Sequence, residues 1–152
     1  MKYLAFTLWF TVIHTVAYVL AGAISLRFSK TLYEGESRVL DFLRDMADPA
    51  EVATVNRRMF AAQLLRGALM SVVLYPILGW LEELAFGLQF VFFAGLMFVY
   101  TDLASAVPFP SNIEGLVYTR DGYRQSGVFA RLQAEMLIYT LIFGLAASWL
   151  AV

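Results

Sequence analysis

Three charged residues, Arg66, Asp102 and Glu135, lie inside long apolar stretches of the sequence. Charge is costly in the hydrocarbon core of a membrane, so ionisable side chains there usually pair with one another or belong to a binding site or pathway. At about 1.5 Å per residue, each lies roughly one to two helical turns from the same side of the predicted layout. Gln63 and Tyr139 fall at the same level. The spacing therefore predicts one polar cluster, in which one cation compensates two carboxylates.

Two interpretations of this cluster are open. In the first it is structural: Arg66 extends toward the lipid headgroups, and Asp102 pairs with it to hold two helices together. In the second it handles a ligand, an ion or a proton, and Glu135 is the group whose mutation separates function from folding. The residues match no metal-binding or cofactor-binding motif. The sequence therefore predicts neither a metal nor a cofactor, and it names no catalytic residue.

Two further polar residues lie within the apolar stretches. His14 is the single histidine of the chain, and one histidine does not build a metal site unaided. We expect it to hydrogen-bond across helices, for instance to Tyr18 or Thr11 or to a neighbouring helix. This is favoured over a role as proton relay or haem ligand. We expect Gln89 to form an interhelical hydrogen bond of the same kind.

Four apolar stretches must position these residues. Each is long enough to cross a hydrocarbon core of ~30 Å as a helix. The chain is 61% hydrophobic and 15% charged, whereas soluble domains have roughly 45–50% apolar and about 25% charged residues. Pro76 should kink the second helix. The predicted fold is an all-α integral membrane protein whose four transmembrane helices form a bundle, with spans at about residues 3–26, 60–81, 86–107 and 132–152.

Small residues four positions apart predict where these helices pack closely. The patterns are Ala21 with Ser25, Gly67 with Ser71, and Gly144 with Ser148. They predict contact without identifying the partner helix.

The distribution of basic residues predicts the orientation. Six Lys and Arg residues lie in the first connection and three in the third, whereas the opposite side has only Lys2. Because cytoplasmic loops carry the excess of positive charge, both termini should lie outside a cell (plasma) membrane. The three tryptophans, Trp9, Trp80 and Trp149, lie toward the outer ends of their spans, as an interfacial aromatic belt requires.

The first connection, residues 27–59, is predicted to be a cytoplasmic helical hairpin that extends the first two spans. Asp48, Pro49 and Glu51 form a helix-start pattern, with Asp48 as N-cap and Glu51 completing a capping box. Only Gly35 interrupts the helical pattern before it. The rival interpretation is an amphipathic helix lying flat on the bilayer. The apolar residues at helical spacing are Leu32, Val39, Leu40, Leu43 and Met46.

The third connection, residues 108–131, is predicted to be a cytoplasmic loop. Pro108 and Pro110 end the third helix, and an Asp-Gly turn signal lies between two short β-prone runs. We expect a small β-hairpin or an ordered interfacial loop, with Ser126 as a cap for the last helix.

Three classes of function remain, since no motif names a reaction and a net charge of −1 gives no indication of a nucleic-acid partner. The first, which we favour, is a non-catalytic subunit or assembly factor. It would act through helix contacts and the hairpin, with a second copy or another membrane protein as partner in the lipid bilayer. The second is a small transporter or channel, necessarily oligomeric because four helices enclose little pore. The third is a membrane-embedded enzyme that acts on lipid at the cytoplasmic leaflet through Arg66, Asp102 and Glu135.

Overall fold

The computed structural model describes residues 1–125 and 127–151, and all of these lie in helices, turns or irregular loops. The predicted cap at Ser126 lies outside the described residues. The third connection is an ordered loop that contains a short helix, and the alternative of a β-hairpin is wrong. The helices are α1 (Lys2–Tyr33), α2 (Pro49–Val73), α3 (Leu78–Glu83), α4 (Phe86–Gly95), α5 (Ile113–Tyr118) and α6 (Val128–Leu150), with 3₁₀ turns at Tyr75–Ile77 and Asp121–Arg124 and a π-helix at Leu96–Leu103 that continues α4.

Three helical segments are long and apolar enough to cross a membrane, namely α1, Phe86–Leu103 and α6. Pro49–Val73 and Tyr75–Glu83 pass the same test together, although they are bent by 44° relative to each other. The regular structure of the described residues is therefore all-helical. It includes three candidate membrane spans, or four when the bent pair counts as one.

The bend in the second span lies at Pro76, as the sequence predicts. Proline donates no backbone hydrogen bond, and its ring collides with the carbonyl four residues earlier, here that of Val72. Accordingly α2 ends at Val73, and the chain passes through a 3₁₀ turn before α3 begins. Beyond the bend, Nε2 of Gln89 on α4 donates to the Leu81 carbonyl oxygen of α3 at 3.0 Å.

The main helix contacts follow the order α2, α1, α6, α4, with α1 and α6 at the centre. Phe10, Phe93 and Phe143 are fully buried where α1, α4 and α6 meet. Their ring centroids lie 5.0, 6.2 and 6.3 Å apart, a favourable spacing for aromatic pairs. Small residues permit this closeness, since a Cβ on Gly144 would lie 3.0 Å from the Cβ of Ala94.

The segment between α1 and α2 folds as turns. Of the predicted helical hairpin at 27–59, only residues 27–33 and 49–59 are therefore helical. α1 ends at Tyr33, and Gly35 has a φ of +88°, the left-handed conformation with which glycine commonly ends helices. The prediction that the helix continues to Met46 is therefore wrong. Residues 34–48 instead fold over the end of α1. Two of the apolar residues that suggested a helical stripe join a compact cluster of buried side chains, Leu32, Leu40, Val128 and Leu132.

The start of α2 agrees with the sequence in one respect and differs in another. Oδ1 of Asp48 accepts from the Ala50 amide at 2.8 Å, and Pro49 is the first helical residue, as predicted. Glu51 does not complete a capping box, because its carboxylate accepts from the amide of Asp45. The preceding turn brings that amide, rather than the amide of Asp48, to the glutamate.

Candidate functional site

A buried histidine joins three helices. His14 on α1 is fully buried, and its two partners are buried as well. Nδ1 of His14 lies 2.6 Å from the hydroxyl of Tyr139 on α6, and Nε2 lies 3.0 Å from Oε1 of Gln63 on α2. We call His14, Gln63 and Tyr139 the histidine network. His14 therefore hydrogen-bonds to neighbouring helices, as expected, and neither Tyr18 nor Thr11 is its partner.

The partners of His14 fix the role of one of its nitrogens. Because the Gln63 amide oxygen can only accept, Nε2 of His14 carries a hydrogen and donates it. The Tyr139 hydroxyl can donate to Nδ1 or accept from it. Both nitrogens of the ring are therefore occupied by protein groups.

A narrow stripe on α2 brings Gln63 to the histidine. Gln63, Gly67 and Ser71, spaced four residues apart, are the buried residues of α2. A Cβ on Gly67 would lie 2.9 Å from Thr11 Cα and 3.3 Å from His14 Cδ2. Glycine at this position therefore lets α1 and α2 approach closely enough for the amide to reach the imidazole.

Two further polar side chains lie beside the network, on the side of the two long connections, which we call the loop side. Tyr18 lies one turn beyond His14 on α1, and Glu135 lies one turn before Tyr139 on α6. Tyr18 is exposed, and Glu135 is half-buried. Arg66, also exposed, follows Gln63 by three residues on α2, and because α2 runs away from the loop side, the backbone of Arg66 lies on the other side of the network from Tyr18 and Glu135.

Glu135 is anchored on the loop side by the end of α1. The hydroxyl of Tyr33, at the end of α1, donates to Oε2 of Glu135 at 2.9 Å. One turn earlier on α6, Nη1 of Arg131 donates to Oγ1 of Thr31 at 2.7 Å. These two hydrogen bonds tie the end of α1 to the beginning of α6.

Asp102 belongs to a separate buried site. Its Oδ1 accepts from Oγ of Ser111 at 2.7 Å, and its Oδ2 accepts from Nε2 of Gln133 on α6 at 3.2 Å. Gln133 also donates to the carbonyl oxygen of Ser111. We call Asp102, Ser111 and Gln133 the aspartate latch, because it fastens the loop after the third span to α6.

Local backbone structure positions the latch from both sides. The π-helix ends with a hydrogen bond from the Ala104 amide to the Val99 carbonyl oxygen at 2.7 Å, and π-helical turns often occur at functional sites. On the loop, Oδ1 of Asn112 accepts from the Gly115 amide at 2.7 Å, which caps α5. Nδ2 of Asn112 donates to the Val107 carbonyl oxygen at 2.7 Å. The loop is thereby folded so that the neighbouring serine faces the aspartate.

The structure does not join the predicted cluster into one site. Gln63 and Tyr139 belong to the histidine network, and Asp102 belongs to the latch. Glu135 bonds to Tyr33 on the loop side, and Arg66 is exposed on α2. The prediction that Arg66 pairs with Asp102 is wrong. Among residues 1–125 and 127–151, Arg66 forms no ion pair. Neutral donors satisfy Asp102 instead, so it needs no cation.

Sequence reasoning missed three residues of these sites, Tyr33, Ser111 and Gln133. Gln133 is a polar residue at the start of the last apolar stretch, which was an available signal. Ser111 and Tyr33 gave no such signal, since their roles depend on the folding of the two connections.

The loop side contains two further ionisable groups with shifted pKa values. Hydrogen bonds from the amides of Ala47 and Gly35 hold the pKa of Asp45 below its ordinary value. The Tyr123 hydroxyl donates to Oδ1 of Asp41 at 2.7 Å, which raises the pKa of Tyr123. Both interactions stabilise the turns that cover the end of α1.

No protein-family model, curated protein or solved structure matches the chain. Within the described residues, no group of three or more His, Asp or Glu side chains is arranged to hold a metal ion. The functional conclusion therefore depends on the geometry of the network and the latch.

Proposed function

We propose that this protein is a non-catalytic subunit or assembly factor of a membrane complex, acting through helix contacts and its loop-side segments. The observation that carries the proposal is the small contact surface of α2. This helix buries only Gln63, Gly67 and Ser71 among its described residues. Its large apolar side chains at Leu65 and Leu69 remain 62% and 61% exposed. A second copy or another membrane protein is the partner that we infer for this face.

The polar sites support the same proposal. A general base needs an atom that can face its substrate. Both nitrogens of His14 and both carboxylate oxygens of Asp102 are instead hydrogen-bonded within the protein. Such saturated networks connect helices to one another and to their loops, which is the task of a structural subunit.

The orientation that we propose follows from charge. The loop side carries nine of the Lys and Arg residues, so we place it in the cytoplasm and both termini outside the plasma membrane. Single cysteines at Ala50 and Glu83, in this cysteine-free chain, test the arrangement. A membrane-impermeant reagent applied to intact cells should label position 83, and labelling at position 50 instead would reverse the orientation.

Photocrosslinking tests the partner surface of α2. A photoreactive residue at Leu69 should give one protein adduct of defined mass, in cells that express the full chain. Leu141, exposed on α6 to a similar degree, is the matched control and should give mainly lipid adducts. Lipid adducts alone at both positions would contradict the proposal.

The positions of Arg66 and Glu135 favour a second candidate, a small oligomeric transporter or channel. Arg66 and Glu135 place opposite charges within segments of the membrane-spanning type, and such charges often line ion or substrate pathways. Flux measurements in proteoliposomes test this candidate. Ion or proton flux that is present in the wild type and abolished by Glu135→Gln would favour transport over scaffolding.

A further inference from the structure

Arg66 is an exposed cation on a helix of a candidate membrane span. Among residues 1–125 and 127–151 it forms no ion pair. α2 and its bent continuation are together long and apolar enough to cross a membrane. What can compensate this charge therefore depends on how deep in the span it lies.

Contacts between α1 and α2 give the depth of Arg66. A Cβ on Gly67 would lie 2.9 Å from Thr11 Cα, and Oγ of Ser71 donates to Oγ1 of Thr7 at 2.9 Å. The two helices are thus antiparallel, and four residues along α2 correspond to four residues along α1. Arg66, one residue before Gly67, therefore lies one residue farther along the same alignment than Thr11.

Charged residues mark the end of the span from which this depth can be measured. Lys2, at the start of α1, pairs with Glu82 at 2.6 Å, on the terminal side of the molecule, opposite the loop side. Thr11 lies nine residues after Lys2, so at 1.5 Å per residue the backbone of Arg66 is about 15 Å from the level of Lys2. This is half of a hydrocarbon core of ~30 Å. Arg66 therefore begins near the middle of the core.

The neighbours of Arg66 on α2 form a stripe suited to helix packing. Ala62, Leu69 and Val73 are exposed, the last two by 61% and 75%. With Arg66 they follow a spacing of four, three and four residues, which is the spacing by which one helix packs along another over several turns. We call Ala62, Arg66, Leu69 and Val73 the α2 stripe. A helix packed along this stripe would meet the guanidinium near its centre.

We propose that the α2 stripe packs against a membrane-spanning helix of another protein, and that this helix carries an aspartate or glutamate at the depth of Arg66. The inference rests on the proposed function, since it specifies the partner of that subunit. A carboxylate would accept two parallel hydrogen bonds from the guanidinium. The pair would also remove the cost of an uncompensated charge at this depth.

A second copy of the chain fits the α2 stripe poorly. Both oxygens of Asp102 are bonded within the latch, and Glu135 is bonded to Tyr33. Two copies related by a two-fold axis along the membrane normal would bring their Arg66 side chains to the same depth at a shared interface. Like charges placed together in this way oppose association. Charge therefore favours a partner of different sequence.

Synthetic helices test the chemistry of the pair directly. The test peptide has about twenty leucines, enough to span the core, with a glutamate at its centre and lysines at both ends; the reference peptide has a central glutamine. Association with the full-length protein in phosphatidylcholine vesicles is measured by energy transfer from a dye on a single cysteine at Ala50. The wild type should bind the glutamate peptide about fivefold more tightly. Arg66→Gln should abolish the difference, and Arg66→Glu should instead favour a peptide with a central lysine.

Photocrosslinking from Leu69 in cells separates this inference from the proposed function. Arg66→Gln should lower the yield of the protein adduct about fivefold. Arg57→Gln is the matched control and should leave the yield unchanged. Arg57 lies nine residues before Arg66, which at about 100° per residue places it on the opposite face of α2. The crosslinked segment of the partner should contain an aspartate or glutamate near the middle of its span.

Several outcomes would overturn the inference and leave the proposed function in place. They are equal binding of the two peptides by the wild type, a crosslinked segment without a carboxylate, and an adduct that is a second copy of the chain. Loss of every protein adduct at Leu69 in the wild type would instead contradict the proposed function itself. Unfolding midpoints in micelles identify variants that misfold, and Arg66→Met, an apolar side chain of similar length, replaces Arg66→Gln if that variant does not fold.

Discussion

The histidine network and the aspartate latch are both buried polar sites, but their partners come from different kinds of structure. His14 takes both partners from side chains on neighbouring long helices, Gln63 and Tyr139. Asp102 takes one partner from α6 and the other from Ser111 on a loop. The network therefore depends only on how helices pack, whereas the latch depends in addition on how a connection folds.

This difference predicts different consequences of damage. A polar site made by helices is lost only when the helices separate, and the spanning segments fold largely by packing against one another. A site that includes a loop residue can open while the helices stay in place, since local opening costs less free energy than global unfolding. Substitutions that act on one site and spare the other test the distinction.

The largest effect is expected from Gly115→Ala, next to the latch. A Cβ at Gly115 would lie 1.7 Å from the Phe109 carbonyl oxygen, and this obstacle is backbone, which cannot rotate aside. We expect the free energy of unfolding in micelles to fall by more than about 3 kcal/mol, beyond the usual cost of overpacking. Hydrogen exchange should accelerate in residues 104–124 and remain unchanged around His14.

Gly122→Ala is the matched control for this substitution. Gly122 lies in the same connection, and a Cβ there would have no atom within 4 Å. Its stability should therefore equal that of the wild type. Faster exchange in α1 of the Gly115→Ala variant would show that the two sites are not independent.

His14→Ala should have the next largest effect, on the network. The substitution leaves a cavity and strands the Gln63 amide and the Tyr139 hydroxyl without their common partner. We expect the free energy of unfolding to fall by about 2–3 kcal/mol. Tyr139→Phe, which keeps the ring and removes one hydrogen bond, should cost about 1 kcal/mol. The cost of Tyr139→Phe should be smaller in the His14→Ala background, where the bond is already absent. If Tyr139→Phe costs the same in both backgrounds, the hydrogen bond does not contribute as described.

Gly67→Ala should loosen the network without removing any of its polar groups. The added methyl group would meet Thr11 Cα at 2.9 Å, so α1 and α2 must move apart and the bond between His14 and Gln63 must lengthen. We expect a loss of about 1–2 kcal/mol. His14 is the single histidine, so its imidazole ¹⁵N resonances report the change without ambiguity. Gly22→Ala, where a Cβ has no atom within 4 Å, should leave both stability and resonances unchanged.

The spanning helices could be predicted from sequence because their signal is local. Apolar length and the position of Pro76 are enough to predict the helices and the bend in the second one. The polar positions Gln63, Tyr139 and His14 were also recognised, since polar residues in apolar helices are conspicuous. Their pairing was not, because depth along a helix does not specify rotation about its axis. Arg66 and Asp102 share a predicted depth, yet the structure does not join them.

The two connections could not be predicted to the same degree. The stripe of apolar residues before α2 has helical spacing, but tertiary packing of Leu40 onto Leu32 overrides it, and Gly35 in its left-handed conformation permits the reversal. Likewise, Ser111 reaches Asp102 only because Asn112 organises the loop. Long-range burial decides such segments, and a local pattern contains no information about it.

The smallest effect is expected at Asp45, in the turns that cover the end of α1. Its carboxylate accepts from the amides of Ala47 at 2.8 Å and Gly35 at 2.9 Å, and its pKa in the folded protein is lowered. A lowered folded-state pKa contributes stability that is fully present above the unfolded-state value, about 3.9. That contribution is lost as the pH falls through the folded-state pKa. Unfolding midpoints should therefore decline in acid for the wild type, and this part of the decline should be absent in Asp45→Asn.

Asp121→Asn, at an exposed position on the same side, is the control and should keep the wild-type profile. Because the turns and not the spanning helices carry this dependence, the ¹⁵N resonances of His14 should stay constant while the midpoint changes. If the His14 resonances instead shift as the pH falls through the pKa of Asp45, the loop side and the histidine network are coupled.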